Sequence, residues 1–237
     1  MELTVDGTSR RAIALVPQGD EPMPLLIYFH GLRSSPEFAI ADAELEAVAV
    51  RESAVVAVPL GIAQSWNAGD CCGIAARDVV DDVGFVSALV KEIDARWAID
   101  ADRVYATGYS NGAVMADRVG CELPNRFAAV AVVSGTASGP CRPATPISIL
   151  IMHGTHDPTF PYAEAEVNAA RWRGLLACQG DPDNLEVGAS ATAVDYPACA
   201  EGATLRFITV DNGAHAWFPA PDATDAVWSF FASLGRP

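Results

Sequence analysis

Residues Gly108-Tyr109-Ser110-Asn111-Gly112 follow a β-rich run, Val104-Tyr105-Ala106-Thr107, and lead into a helix-forming stretch. In that context the pattern describes a sharp strand-to-helix turn. Such a turn holds a serine in a strained backbone conformation with its hydroxyl exposed above a sheet. Glycine stands two residues to either side of Ser110 because a Cβ there would collide with the neighbouring strand or helix. Ser110 is therefore the candidate nucleophile. A serine hydroxyl is a weak nucleophile at neutral pH. It needs a base within hydrogen-bond reach, and that base needs an orienting carboxylate.

Both partners are expected on loops at the carboxyl ends of later strands, the acid before the histidine. The apolar run 147–152 ends in His153-Gly154-Thr155-His156-Asp157-Pro158, which makes Asp157 the candidate acid. The run 205–210 ends in Asp211-Asn212-Gly213-Ala214-His215-Ala216-Trp217, which makes His215 the candidate base. The chain has four histidines, His30, His153, His156 and His215, and only His215 follows the last strand. Asp211 shares the His215 loop and is the rival acid, its other reading being a turn or cap residue. A tetrahedral intermediate also needs donors for its oxyanion. The Asn111 N–H supplies one. The second is expected from Leu32 N–H in the loop His30-Gly31-Leu32-Arg33-Ser34-Ser35. Trp66, Tyr109 and Trp217 are loop aromatics expected to contact substrate. His30 and His153 read as buttresses of their loops, and His156 stays open between surface and site rim. No cysteine lies in a C-x-x-C pair or beside a histidine at zinc spacing. Neither a metal nor a cofactor is expected.

These residues need a scaffold that brings several strand ends to one edge. Runs 3–5 and 11–16 flank Asp6-Gly7-Thr8-Ser9 as a hairpin. Strands are expected at 25–29, 54–59, 103–107, 128–133, 147–152 and 205–210. Helices are expected at 36–52, 79–97, 111–122, 162–177 and 222–234. Within 36–52, Phe38, Ala41, Leu45 and Val48 keep helical spacing. Asp81 and Asp82 open the helix 79–97 as dipole or capping residues. The segment 61–76 reads as a loop, and 178–199 as a polar excursion that is not a separate domain. Strands alternating with helices of this length imply an α/β fold, with a mostly parallel central sheet and helices on both faces.

With 237 residues, 51% of them hydrophobic, the chain suits one domain with a sizeable core. No apolar run approaches membrane-spanning length. The net charge of −15 argues against nucleic acid and against anionic membranes, and describes a solvated acidic surface. Six cysteines, an even count, fit disulfides in an oxidising compartment, or six reduced buried thiols. Cys178 with Cys199 is the first pairing expected, because it would staple the polar excursion. Cys121 with Cys141 is the second, which leaves Cys71 and Cys72 for each other or for a rearranged set. The chain opens on Met1-Glu2-Leu3-Thr4 and runs directly into strand-like sequence. The cysteines favour a secreted or periplasmic mature form over a cytoplasmic protein.

Taken together, these motifs resemble the α/β-hydrolase branch that contains polyhydroxybutyrate-depolymerase-like proteins and feruloyl or acetylxylan esterases. The resemblance is carried by His30-Gly31 with Ser34, Ser65-Trp66-Asn67 followed by Cys71-Cys72-Gly73, and Val80-Asp81-Asp82-Val83-Gly84-Phe85. It continues through the Ser110 motif, His153-Gly154-Thr155 with Asp157, and Gly213 with His215 and Trp217. Trp217-Phe218-Pro219 departs from the Trp-Pro often found there. The resemblance implies a single-domain serine esterase with its triad on Ser110, Asp157 and His215 and no cofactor. Such an enzyme is usually exported and acts on aryl, acetyl or short hydroxyalkanoate esters. The expected partner is a small-molecule or oligomeric ester, met by a monomer. A peptidase or acyltransferase on the same scaffold, and a non-catalytic binding protein that kept the fold, are the rival classes.

Overall fold

Strands buried on both faces are apolar at nearly every position. Four runs meet that condition along their whole length: β3 (Met23–Phe29), β4 (Val55–Pro59), β6 (Ala129–Val133) and β7 (Ser148–Gly154). The computed structural model describes residues 1–234 except Asp6, Asp20 and Asp70. The turn residue Asp6 of the expected hairpin therefore lies outside the described residues. Its arms, β1 (Glu2–Val5) and β2 (Thr8–Leu15), pair antiparallel with Val5 opposite Thr8. With β5 (Ile99–Tyr109), β8 (Asp183–Glu186), β9 (Ala191–Tyr196) and β10 (Leu205–Val210), these form one sheet in the order β1-β2-β4-β3-β5-β6-β7-β10-β9-β8. The six central strands from β4 to β10 run parallel, and the flanking pairs are antiparallel.

Alternation along the strands sends side chains to two cores. Leu25, Ile27 and Phe29 join the core beneath α4 (Asp82–Arg96), α5 (Asn111–Glu122) and α6 (Tyr162–Leu175). Leu26 and Tyr28 join the core beneath α1 (Pro36–Asp42), α2 (Leu45–Arg51) and α7 (Ala223–Ser233). A short helix, α3 (Ile74–Arg77), and a 3₁₀ turn at Ile62–Gln64 lie in the segment expected to be wholly loop.

The other differences from expectation have local causes. The helix expected over 36–52 is two helices, because Glu44 takes a left-handed conformation (φ 49°) between α1 and α2. No Gly or Pro marks that break in the sequence. The kink lets Ala39, Ala43, Leu45 and Val48 all reach the core, and turns Phe38 and Ala41 outward. The helix expected from residue 79 starts at Asp82. Asp81 is its N-cap and accepts the Gly84 N–H at 2.8 Å. Asp82 turns inward to pair with the buried Arg10 guanidinium at 2.6 Å and accepts the Asn67 N–H at 2.7 Å. The excursion 178–199 contains β8 and β9, which extend the sheet past β10. All six cysteines are paired, as Cys71–Cys72, Cys121–Cys141 and Cys178–Cys199. Among the described residues no helix is long and apolar enough to cross a membrane.

Candidate active site

The carboxyl ends of β3, β5, β7 and β10 meet at one edge of the sheet. β5 runs out at Tyr109, α5 begins at Asn111, and Ser110 between them has φ 57° and ψ −122°. Only close backbone packing permits this turn. A Cβ on Gly108 would stand 2.6 Å from Phe29 O, and one on Gly112 would stand 2.6 Å from His30 O. The left-handed φ of a non-glycine residue is strain that the surrounding strand and helix hold in place.

From this turn a continuous hydrogen-bond chain runs through three side chains. His215 Nε2 lies 2.9 Å from Ser110 Oγ, and His215 Nδ1 lies 2.8 Å from Asp157 Oδ2. The carboxylate can only accept, so Nδ1 carries the proton and Nε2 is left to accept from the serine hydroxyl. The other Asp157 oxygen accepts the Thr159 and Phe160 N–H groups at 2.8 and 2.9 Å, which fixes the carboxylate plane. The rival acid, Asp211, is exposed and its backbone N–H goes to Ser190 O. The carboxylate on His215 belongs to Asp157.

Strand register and loop hydrogen bonds position the acid and the histidine. Val210 pairs with Gly154, so β10 and β7 end level. Beyond that point Thr155 Oγ1 accepts the Asn212 N–H at 2.8 Å, and Gly213 O accepts the His156 N–H at 2.9 Å. The carbonyl of His215 accepts the Tyr109 hydroxyl at 3.1 Å, and the carbonyl of Ala216 accepts the Ser134 hydroxyl at 2.7 Å. Tyr109 is pushed up to about 12 by burial and by the nearby charges of Asp157 and Asp42, so it stays a neutral donor.

The two buried histidines serve as loop buttresses. His30 Nδ1 donates to Gly31 O at 2.8 Å and Nε2 accepts the Gly61 N–H at 3.1 Å, a pattern only the neutral ring can make. His153 Nε2 donates to Phe160 O at 2.9 Å and lies 3.4 Å from Asp157 Oδ2, while its Nδ1 is buried without a partner. Burial lowers the pKa of both rings. His156 is exposed, its ring pairs with the Thr155 hydroxyl at 3.2 Å, and it does not line the cleft beside Ser110.

The Leu32 loop is anchored by Arg33 N–H to Gln64 O at 2.8 Å and by Trp66 Nε1–H to His30 O at 2.9 Å. Among the described residues neither Leu32 N–H nor Asn111 N–H has an intramolecular acceptor. The Asn111 side chain grips the next loop. Its Oδ1 accepts Trp66 N–H at 2.8 Å, and its Nδ2 donates to Trp66 O at 3.1 Å.

A cleft of about 280 Å³ opens beside Ser110 and His215. Of the three aromatics expected to meet substrate, only Tyr109 lines it. Trp66 is fully buried, edge-on to Phe29, so it cannot touch a ligand. Trp217 packs edge-on against Tyr28, and its indole N–H goes to Thr224 Oγ1 at 2.9 Å; it braces α7 against the α1–α2 junction. The remaining lining includes Leu32 and residues that sequence reasoning missed: Tyr28, Phe38 and Asp42. Phe38 carried a readable signal, because an outward aromatic beside Glu37 sits poorly with a core stripe.

Comparison with known proteins gives this arrangement a family. Residues 11–208 match the family model described as Esterase PHB depolymerase. The chain is 34% identical over 250 residues to the putative esterase NocK of Nocardia uniformis subsp. tsuyamanensis, covering 91% of this chain and 73% of that protein. It is 30% identical over 240 residues to feruloyl esterase B of Piromyces equi, covering 87% of this chain but only 42% of that protein's length. Among solved structures, an acetyl xylan esterase from Aspergillus awamori superposes with a TM-score of 0.76 at 16% identity, over 98% of both chains. That likeness establishes the α/β-hydrolase fold. The chain belongs to the Esterase PHB depolymerase family.

Proposed function

We propose that the protein hydrolyses carboxylic esters of feruloyl, acetyl or short acyl type through an acyl-enzyme on Ser110. The observation that carries this reading is the hydrogen-bond chain from Ser110 Oγ through His215 to Asp157, at 2.9 and 2.8 Å, beside two unpaired backbone N–H groups. His215 Nε2 takes the hydroxyl proton as Oγ attacks the ester carbonyl carbon. The Leu32 and Asn111 N–H groups receive the oxyanion. His215 then gives that proton to the leaving alkoxide, and the alcohol departs. Water repeats the sequence on the acyl-enzyme and releases the acid. Asp157 holds the ring in the Nδ1–H tautomer and stabilises its cationic form. The names of the related esterases support the ester class. A cleft near the lower end of the usual small-ligand range suits a short or single-ring acyl group. The three disulfides favour an exported protein.

The test is a panel of p-nitrophenyl acetate, butyrate and octanoate, methyl ferulate, acetylated xylan and 3-hydroxybutyrate oligomers, run with wild type and Ser110→Ala. Hydrolysis of acetate or ferulate esters, lost by several orders of magnitude in Ser110→Ala at unchanged melting temperature, is the expected result. Oligomers as the best substrates would make it a polyester hydrolase, as the family description suggests. Full activity in Ser110→Ala would remove the mechanism, and silence on every ester would leave peptidase and transferase chemistry to test.

A further inference from the structure

Asp42 stands where folding alone would not place a carboxylate. It is the last residue of α1, at the helix end where exposed carbonyls favour a cation, and no basic side chain lies in that turn. Among the described residues it has no ion pair and no hydrogen bond. The residue is exposed at the cleft, and partial desolvation raises its pKa. It lines the same cleft as Tyr28 and Tyr109, and its charge adds to the burial that raises the pKa of both hydroxyls.

Tyr28 supplies the second observation. It is 2% exposed, and its hydroxyl has no hydrogen-bond partner among the described residues. Yet Tyr28 lines the same cleft as Ser110, His215 and Asp42. The ring is buried, whereas the hydroxyl opens on the cleft and is free to donate there. Here the cleft contains an unpaired acceptor-only group and an unpaired hydroxyl that can donate. One neutral hydroxyl on a ligand satisfies both: its O–H donates to Asp42 while its oxygen accepts from Tyr28. An anion would meet the Asp42 charge instead. Leu32 and Phe38, 38% and 62% exposed, line the same cleft and offer apolar contact to a ring or chain that carries the hydroxyl.

We propose that Asp42 and Tyr28 form a hydroxyl-reading subsite that selects esters with a free hydroxyl in the cleft-bound part. This deepens the ester-hydrolase reading and rests on it. The hydroxyl can come from a phenol on the acyl side or from a polyol on the alcohol side.

Two matched pairs distinguish the sources: methyl 4-hydroxycinnamate against methyl cinnamate, and glycerol monoacetate against propyl acetate. In wild type the hydroxylated member of one pair is preferred by about tenfold in kcat/KM. Asp42→Asn removes that preference, and Tyr28→Phe reduces it. The pair that responds names the source. A ratio unmoved by Asp42→Asn in both pairs overturns the proposal. Melting temperature is measured alongside: a merely structural Asp42 would lower it on substitution, whereas this subsite leaves it level or raised. If wild type cleaves no ester, the catalytic reading fails by itself. The subsite is then read by titrating the same uncleaved pairs into the full chain. Tighter binding of a hydroxylated member, lost in Asp42→Asn, supports it, and equal binding overturns it.

Discussion

Gly154 and Gly213 are in backbone contact: a Cβ built on Gly154 would stand 2.9 Å from Gly213 Cα and overlap the Gly213 carbonyl. Gly154 ends β7, three residues before Asp157, and Gly213 lies two residues before His215. The loops that carry Asp157 and His215 are thus seated on each other through two residues without side chains.

Gly154→Ala should therefore push the His215 loop away from Ser110. A displacement of about 1 Å at a catalytic group costs on the order of 10²-fold in rate. The expected result is that loss in kcat/KM with a smaller fall in melting temperature. Gly174→Ala is the control. Gly174 lies in α6 with open space around it, so alanine should stabilise by about 0.5–1 kcal/mol and leave activity alone. Equal activity in the two variants would show that the loop contact does not position the histidine.

In the proposed mechanism Asp157 has two separable duties. Asp157→Asn keeps an oxygen for the Thr159 and Phe160 N–H groups but favours the wrong histidine tautomer. Turnover should fall by about 10⁴-fold with melting temperature nearly kept. Asp157→Ala also orphans the two N–H groups and should cost a further ~1–3 kcal/mol of stability, read by denaturant unfolding. A variant Asn enzyme within tenfold of wild type would assign the orienting role elsewhere.

The buried histidines set a pH dependence of stability. Burial lowers the pKa of His30 and His153 in the folded state, so the unfolded chain takes up protons at higher pH than the folded one. Their stabilising contribution is complete above the unfolded value of about 6.5 and is lost as pH falls through it towards the lower folded values. Protonation of His30 would also break its acceptance of the Gly61 N–H. Thermal melts at pH 7.5 and pH 5 should show lower stability at pH 5. A flat profile over that window would contradict the assignment of both rings as neutral.

The disulfides differ in what they constrain. Cys121–Cys141 and Cys178–Cys199 span 20 and 21 residues, so each should contribute about 3 kcal/mol through the unfolded chain. Cys71–Cys72 joins adjacent residues and closes no comparable loop. Double serine replacement of either long pair should lower the melting temperature far more than replacement of Cys71 and Cys72. The reverse order would place the main constraint in the 61–76 segment, next to Asn111.

The parts of the site that could be read in the sequence are those set by local pattern. The Ser110 turn is encoded in five residues, because its two glycines answer to backbone contacts that any such turn must make. Asp157 and His215 follow because parallel strands bring their carboxyl ends to one edge. Residues just past β7 and β10 must then face the same space. The β8–β9 hairpin escaped notice because β8 is exposed at every residue and carries no alternation; the open edge of β10 decides its pairing.

Which way a side chain points was decided by tertiary structure. Trp66 and Trp217 sit on loops near the serine, where aromatics commonly line clefts. Trp66 is drawn inward because Asn111, 45 residues away, takes both its backbone groups. Trp217 is held by Tyr28 and Thr224. Conversely, Phe38 and Asp42 face the cleft because Glu44 breaks the expected helix, a left-handed residue that no glycine announces. The order of the chemistry along the chain is a one-dimensional property that strand ends and turn glycines write locally. The walls of the cleft depend on contacts between residues far apart in sequence, and those exist only once the sheet and its helices have packed.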